Sequence, residues 1–233
     1  MYTEHPVLSP IVACTWEQTT ATALEQRVVP DACVDLIWAG GDRLTVAGPD
    51  TLPRVVALPP GSRLVGVRLR PGAAGAVLGL PASGLCDISP DAADVLGPDR
   101  TEALLDALMA GANPRSVLLQ GIRAHGAHEP DPLVRAAVAA LDRPRARVSA
   151  VAVELGVSSR QLQRRIADAV GYGPKTLARV LRFRRLQGLP AAPLIELALE
   201  AGYADQAHMT AEVTRLAGVS PVRFLKDRPA TAA

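Results

Sequence analysis

The 233-residue sequence is poor in the residues that would place it in several common classes. It has three cysteines, Cys14, Cys33 and Cys86, widely spaced and odd in number. No CxxC pair occurs, which argues against a disulfide framework or a zinc-finger pattern, and buried thiols are the expectation. Lysine is nearly missing: Lys175 and Lys226 stand beside 23 arginines. With the abundance of Ala, Gly and Pro, that bias reads as genomic base composition. No apolar run approaches the ~18 residues that span a bilayer. Met1–His5 lacks the basic-then-apolar order of a secretory leader, so a cytoplasmic protein with no membrane partner is expected. No GxSxG elbow, P-loop or HExxH is present. His125, His128 and Glu129 sit in a stretch punctuated by Gly126, Pro130 and Pro132. Such a stretch is too loose to fix an ion, so neither a metal nor a cofactor is expected.

What the chain does have is apolar content and an uneven charge distribution. Hydrophobic residues make up 48%, enough to bury a core in one large domain or two small ones. The net charge of +2 hides a division. Residues 1–130 hold 9 arginines against 14 acidic residues, a net −5, whereas residues 131–233 hold 16 cations against 9 acids, a net +7. An acidic half joined to a basic half is the layout of a regulatory module attached to a nucleic-acid-binding module.

The acidic half begins with strand patterns at 7–17, 24–29, 33–38, 43–47, 54–58 and 63–70, separated by turn residues. In Arg63–Arg70, apolar 65, 67 and 69 alternate with Arg68 and Arg70, as in a half-buried strand. Gly40-Gly41-Asp42 fits a hairpin turn. Short strands with frequent Gly and Pro suggest a small barrel or sandwich. After Pro71 the period becomes helical, over 72–80, 99–110 and 114–124. The last two helices would either cap the strands or form a dimer face. Ala124–Pro132 is the linker, which divides the chain into domains 1–125 and 131–233.

The basic half contains a repeat. Ala152-Val-Glu-Leu-Gly156 returns 46 residues later as Ala198-Leu-Glu-Ala-Gly202, and Gly171-Tyr-Gly-Pro174 returns 47 residues later as Gly218-Val-Ser-Pro221. Each copy reads as helix, glycine turn, helix. In the first, Ser149 is the expected cap of 150–155, Gly156 makes the turn, and Ser158 caps 159–170. Leu162, Ile166 and Val170 form its core face. In the second, Pro193 precedes 194–201, Gly202 turns, and Asp205 caps a helix to about 217 with Met209, Val213 and Leu216 inward. A short helix, 222–227, follows. Two such units imply two recognition helices on one DNA duplex. Ser158, Ser159, Arg160, Gln161, Gln163, Arg164 and Arg165 are the candidate contacts of the first, and Asp205, Gln206, Ala207, His208, Thr210 and Ala211 of the second. Arg and Gln suit guanine and adenine edges; they also bind phosphate, which positions without specifying. His208 by itself reads better as a packing or capping residue. Between the units, the 13 residues 175–187 form a helix of roughly 20 Å, a rigid connector for sites about one DNA turn, roughly 34 Å, apart. Arg179, Arg182, Arg184 and Arg185 on it are expected to divide between phosphates and packing.

On the tandem spacing, the run Gly202–His208 and the segment Ala217–Pro221, residues 131–228 resemble the C-terminal domain of AraC/XylS-type transcription regulators. The resemblance implies a seven-helix domain that reads adjacent major grooves of double-stranded DNA. Met209 and Val213 stand where that family commonly has an aromatic residue, and Ala211 near a usual basic one. The helix at 158–170 is therefore expected to carry most base readout and the helix at 205–217 mainly to position. Val29–Ile37 and Gly66–Ala73 resemble the sensor region of one group of these regulators. This implies a cupin-like β-barrel with a helical tail, a small-molecule effector pocket and a homodimer contact. Cys33, Asp35, Trp38 and Arg68 are its candidate pocket groups, with turn or surface charge as the plainer reading of Asp35 and Arg68. The fold class is thus α+β: a small β-barrel with a helical tail, then an all-α domain of two helix-turn-helix units joined by a connector helix. An activator of this kind would also meet RNA polymerase. Two other readings stay open: an enzyme built on the small barrel, and a thiol sensor, which needs an exposed, low-pKa cysteine.

Overall fold

In the computed structural model, residues 1–125 and 129–227 are described. The expectation for His125 and His128 as non-ligands concerns side chains outside that set.

Seven strands form the N-terminal half: β1 (Tyr2–Pro6), β2 (Val12–Thr19), β3 (Leu24–Val28), β4 (Val34–Trp38), β5 (Leu44–Ala47), β6 (Arg54–Leu58) and β7 (Arg63–Leu69). Five make an antiparallel sheet in the order β1-β2-β7-β4-β5, and β3 pairs with β6 in a second ladder. Of the strand expected over 7–17 only 12–17 is strand, as the start of β2, and β1 lies ahead of it. Proline at 6 and 10 interrupts the run, and the Ser9 hydroxyl accepts the amides of Ile11 and Val12 to start β2. Gly40 and Gly41 form the hairpin between β4 and β5, both at positive φ.

Period-two alternation gives the large sheet two chemically different faces. Val65, Val67 and Leu69 of β7 lie in register with Trp38, Leu36 and Val34 of β4, and all six are buried. That face packs on α1 (Ala74–Leu78), α2 (Ala92–Leu96), α3 (Pro98–Met109) and α4 (Pro114–His125), with Leu108, Leu118 and Ile122 completing the core. α3 and α4 therefore cap the sheet. α2 was not expected from sequence; Asp91 caps it by accepting the Ala93 amide at 2.9 Å. The opposite face carries Cys14, Trp16, Asp35 and Arg68.

Among the described residues, seven helices form the C-terminal half: α5 (Pro132–Leu141), α6 (Val148–Glu154), α7 (Ser159–Val170), α8 (Pro174–Gly188), α9 (Leu194–Ala201), α10 (Gln206–Ala217) and α11 (Pro221–Asp227). α8 is the axis of this half. Leu177, Val180, Leu181, Phe183 and Leu186 are buried between the two repeat units, and Phe183 stacks on Phe224 of α11 at 4.9 Å. Leu162, Ile166 and Val170 from α7 and Met209, Val213 and Leu216 from α10 reach the same core. α6 begins earlier than expected. It starts after Arg147 with no side-chain cap, so Ser149 lies inside the helix and is not its N-cap. Glycine at 202 is required: φ is +90°, and a Cβ there would lie 3.1 Å from the Pro144 Cα.

The two cores meet along a shared seam. Ala32, held at φ +66°, and the partly buried Val29 join the C-terminal core although they belong to the N-terminal half. Gly72 sits against Val134 and Val170, and Gly75 against the backbone of Asp168 and Ala169 at the end of α7. Two arginines cross the seam. Arg184 of α8 donates to the Asp31 carbonyl at 3.1 Å, and Arg27 of β3 donates to the Ala217 carbonyl, the last residue of α10, at 2.9 Å.

Candidate nucleic-acid interface

Each repeat unit fixes its second helix by local chemistry. At the start of α7, the Ser158 hydroxyl accepts the Gln161 amide and the Gln161 side chain accepts the Ser158 amide, a reciprocal capping box. At the start of α10, the Asp205 carboxylate accepts the His208 amide at 2.7 Å. Both helices close on a left-handed glycine, Gly171 and Gly218. Ser158, Gln161 and Asp205 are thus exposed but already engaged as caps.

The remaining candidates on α7 separate by direction. Arg160 and Arg164 are exposed and have no ion-pair partner among the described residues. Ser159 is exposed beside them, and Gln163 is exposed with its amide lying over Gly173, where a Cβ would sit 2.3 Å from its nitrogen. Arg165 is turned away to the Asp131 carboxylate at 2.9 Å, where it ties α7 to the cap of α5. The solvent face of α7 therefore presents two unpaired guanidinium groups one helical turn apart.

α10 presents a different surface. Gln206, Ala207, Thr210, Ala211 and Thr214 form one stripe along the helix that is open to solvent. The Thr210 hydroxyl folds back onto the Gln206 carbonyl at 2.9 Å. The His208 ring faces inward: its Nδ1 accepts the Ala204 amide at 3.3 Å and its edge meets the Tyr203 ring.

The connector arginines were expected to divide between phosphates and packing. All four have partners inside the protein. Arg179 grips Glu212 of α10 with two parallel bonds of 2.7 and 2.8 Å. Hydrogen bonding from Arg179 holds the Glu212 carboxyl below its ordinary range and, in return, raises the Arg179 pKa. Arg182 lies over the Tyr203 ring at 5.3 Å, Arg184 crosses the seam, and Arg185 bonds the Ala201 carbonyl and Asp142. α8 thereby fastens α9 and α10. Arg179–Glu212 left no sequence signal, because the two residues lie 33 positions apart.

In the N-terminal half the four candidate pocket residues do not converge. Trp38 is on the helix-covered face, its indole N–H donating to the Gly41 carbonyl. Asp35 and Arg68 are on the opposite face and paired, Arg68 Nε lying 3.2 Å from Asp35 Oδ1. Around them stand Trp16, whose indole donates to Asp35 at 2.8 Å, Glu4 at 3.1 Å from Arg68, and Asp31 at 3.5 Å. Trp16, Glu4 and Asp31 escaped the sequence reading because they come from other strands and loops. Burial pushes the Asp35 carboxyl up against the pull of Arg68. Cys33 is buried next to Asp31, whose carboxylate accepts its amide. Burial, reinforced by Asp31, pushes its thiol well above the ordinary value. Burial pushes Cys14 and Cys86 up to about 11. A sensor cysteine needs the reverse, a stabilised thiolate, so the thiol-sensor reading loses its physical basis.

Two family models match. Residues 1–89 match a domain of unknown function (DUF6597), and residues 151–227 match a helix-turn-helix domain. No curated protein sequence matches the chain. Among solved structures, the C-terminal domain of AraT, a response regulator from Geobacillus stearothermophilus, is 24% identical over 44% of this chain and 93% of its own, with a TM-score of 0.40. ToxT from Vibrio cholerae bound to an unsaturated fatty acid is 10% identical over 94% of this chain and 96% of its own, with a TM-score of 0.47. No helix among the described residues is long and apolar enough to cross a membrane. With its two capped helix-turn-helix units on one buried connector, the chain carries a helix-turn-helix domain over residues 151–227.

Proposed function

We propose that the protein regulates transcription by reading two adjacent major grooves of one duplex with α7 and α10, and that a small molecule bound by the N-terminal half controls this reading. The observation that carries the first part is the rigid mounting of both helices. Both pack on α8, which buries five large side chains between them. At 15 residues α8 is roughly 22 Å long, a span suited to holding two helices on successive turns of one groove face. Arg160 and Arg164 supply guanine contacts, while Ser158, Ser159 and the amides at the start of α7 meet phosphate.

The second part rests on the seam. The N-terminal half touches the C-terminal ends of both reading helices, through Gly75 at α7 and Arg27 at α10, and touches α8 through Asp31. Asp31 is also the residue whose carboxylate approaches Arg68. A ligand that re-pairs Arg68, Asp35 and Glu4 would therefore pull on the loop that enters the DNA-binding core. Asp35, Arg68 and Cys33 remain effector-side candidates, joined by Glu4, Asp31 and Trp16, whereas Trp38 serves the core.

The test is selection of binding sites from a random DNA library by the full-length protein, with the selected site titrated in salt. A two-part site spaced by one helical turn, with affinity falling steeply as salt rises, is expected. Recovery of no preferred sequence, or of a single half-site unaffected by Gln206→Ala, would refute two-groove reading.

A further inference from the structure

Resting on that DNA-reading function, we propose that the two halves of the operator are read by different chemistry: α7 selects guanine through Arg160 and Arg164, and α10 selects an A·T half-site through Gln206 and the methyl group of Thr210. The two helices occupy equivalent places in the repeat but carry opposite side-chain types. Residues 205–214 contain no lysine or arginine. The one acid of α10, Glu212, is neutralised by Arg179, and the one imidazole, His208, is turned inward onto Ala204 and Tyr203. What this face presents to solvent is one carboxamide, two alanine methyls and two threonines.

Two details make this surface a reader and not merely a blank. Gln206 is exposed at the first position of α10, and its side chain has no partner among the described residues. A free carboxamide at the N-terminal end of a recognition helix matches the acceptor–donor pair on the major-groove edge of adenine. Thr210, one turn further, has its hydroxyl committed to the Gln206 carbonyl, so its methyl is the group left for an outside contact. Ala207 and Ala211 flank it and allow the helix axis close to the base edges. Thymine is the one base that offers a methyl in the major groove, and apolar contact with it is sequence-specific without a hydrogen bond. Short uncharged side chains do little for phosphates, so the expectation that this helix mainly positions gives way to base reading.

The experiment uses the full-length protein and the operator selected above, with thymines in each half replaced separately by deoxyuridine. Removing one contacted methyl is expected to weaken binding about fourfold in the α10 half, from ~0.8 kcal/mol per buried methyl-sized group, and to leave the α7 half unaffected. Thr210→Ser keeps the hydroxyl bond and removes only the methyl. Its loss should equal that of deoxyuridine at one position, and the two together should cost no more than either alone. Gln206→Ala should relax selection at one adenine by about tenfold, while Arg164→Ala relaxes a guanine in the other half. A two-part site whose α10 half is G·C-rich, or whose affinity ignores deoxyuridine and Thr210→Ser, overturns this inference and leaves the regulator function standing. Absence of any selected site overturns both.

Discussion

Cutting the bolt between α8 and α10 tests whether this ion pair holds α10 in place. Arg179 and Glu212 form a bidentate pair, with side chains 30% and 13% exposed. That is too shielded for the near-zero value of a surface pair, yet wet enough to avoid the full desolvation cost of a buried one. Two charge-assisted bonds in fork geometry then contribute about 1–2 kcal/mol. A double-mutant cycle with Arg179→Met and Glu212→Gln, read from urea unfolding midpoints at pH 7, should return a coupling of about 1.5 kcal/mol. Glu212 has a folded pKa below its ordinary value of 4.5. The unfolded chain therefore takes up the proton first as pH falls. The stabilisation is fully present above pH 4.5 and is lost as pH drops below it, through the folded pKa. Operator affinity should fall in both single variants, because α10 loses its fixed angle to α8. A coupling below about 0.3 kcal/mol would refute the view that this pair fastens α10 to α8.

Arg27→Ala removes the bond to the end of α10 and should cost about 1 kcal/mol, read from the urea unfolding midpoint; an unchanged midpoint would show the seam held by apolar packing alone. Ser158→Ala should destabilise the C-terminal half by about 1 kcal/mol in thermal unfolding, since the Gln161 amide loses its hydroxyl acceptor and only the bond from the backbone amide of residue 158 to the Gln161 side chain remains; no change would mean that this remaining bond caps α7 unaided. Gly66→Ala should destabilise by about 1–3 kcal/mol and shift tryptophan emission, because the new Cβ would lie 2.3 Å from the Trp16 ring; wild-type melting would contradict that packing. Thiol labelling of the folded protein at pH 8 should leave Cys14 and Cys33 unmodified over hours, with Cys86 slow; rapid labelling of Cys33 would reopen thiol sensing.

Much of the C-terminal half could be read directly from sequence because its determinants are local. Glycines at 156 and 202, caps at 158 and 205, and apolar residues three and four apart each act within one or two turns of chain. Alternation in β7 and the Gly40-Gly41 hairpin were legible for the same reason. β1 was missed because it is a polar edge strand with every second residue exposed and no apolar run to betray it.

What sequence alone determined was therefore the tandem helix-turn-helix, its turns and the charge division between the halves. Tertiary structure decided which of those side chains are free. Arg164 and Arg165 are neighbours in the chain but point about 100° apart on a helix, and only the second finds an acid, Asp131, 34 residues upstream. Trp16 and Trp38 look alike in sequence, yet strand register sends one to the Asp35–Arg68 cluster and the other into the helix-covered core. Arg27 meets Ala217 across 190 residues. Such pairings depend on where the chain returns in space. Local periodicity specifies the elements, but the free energy of packing them together selects their partners.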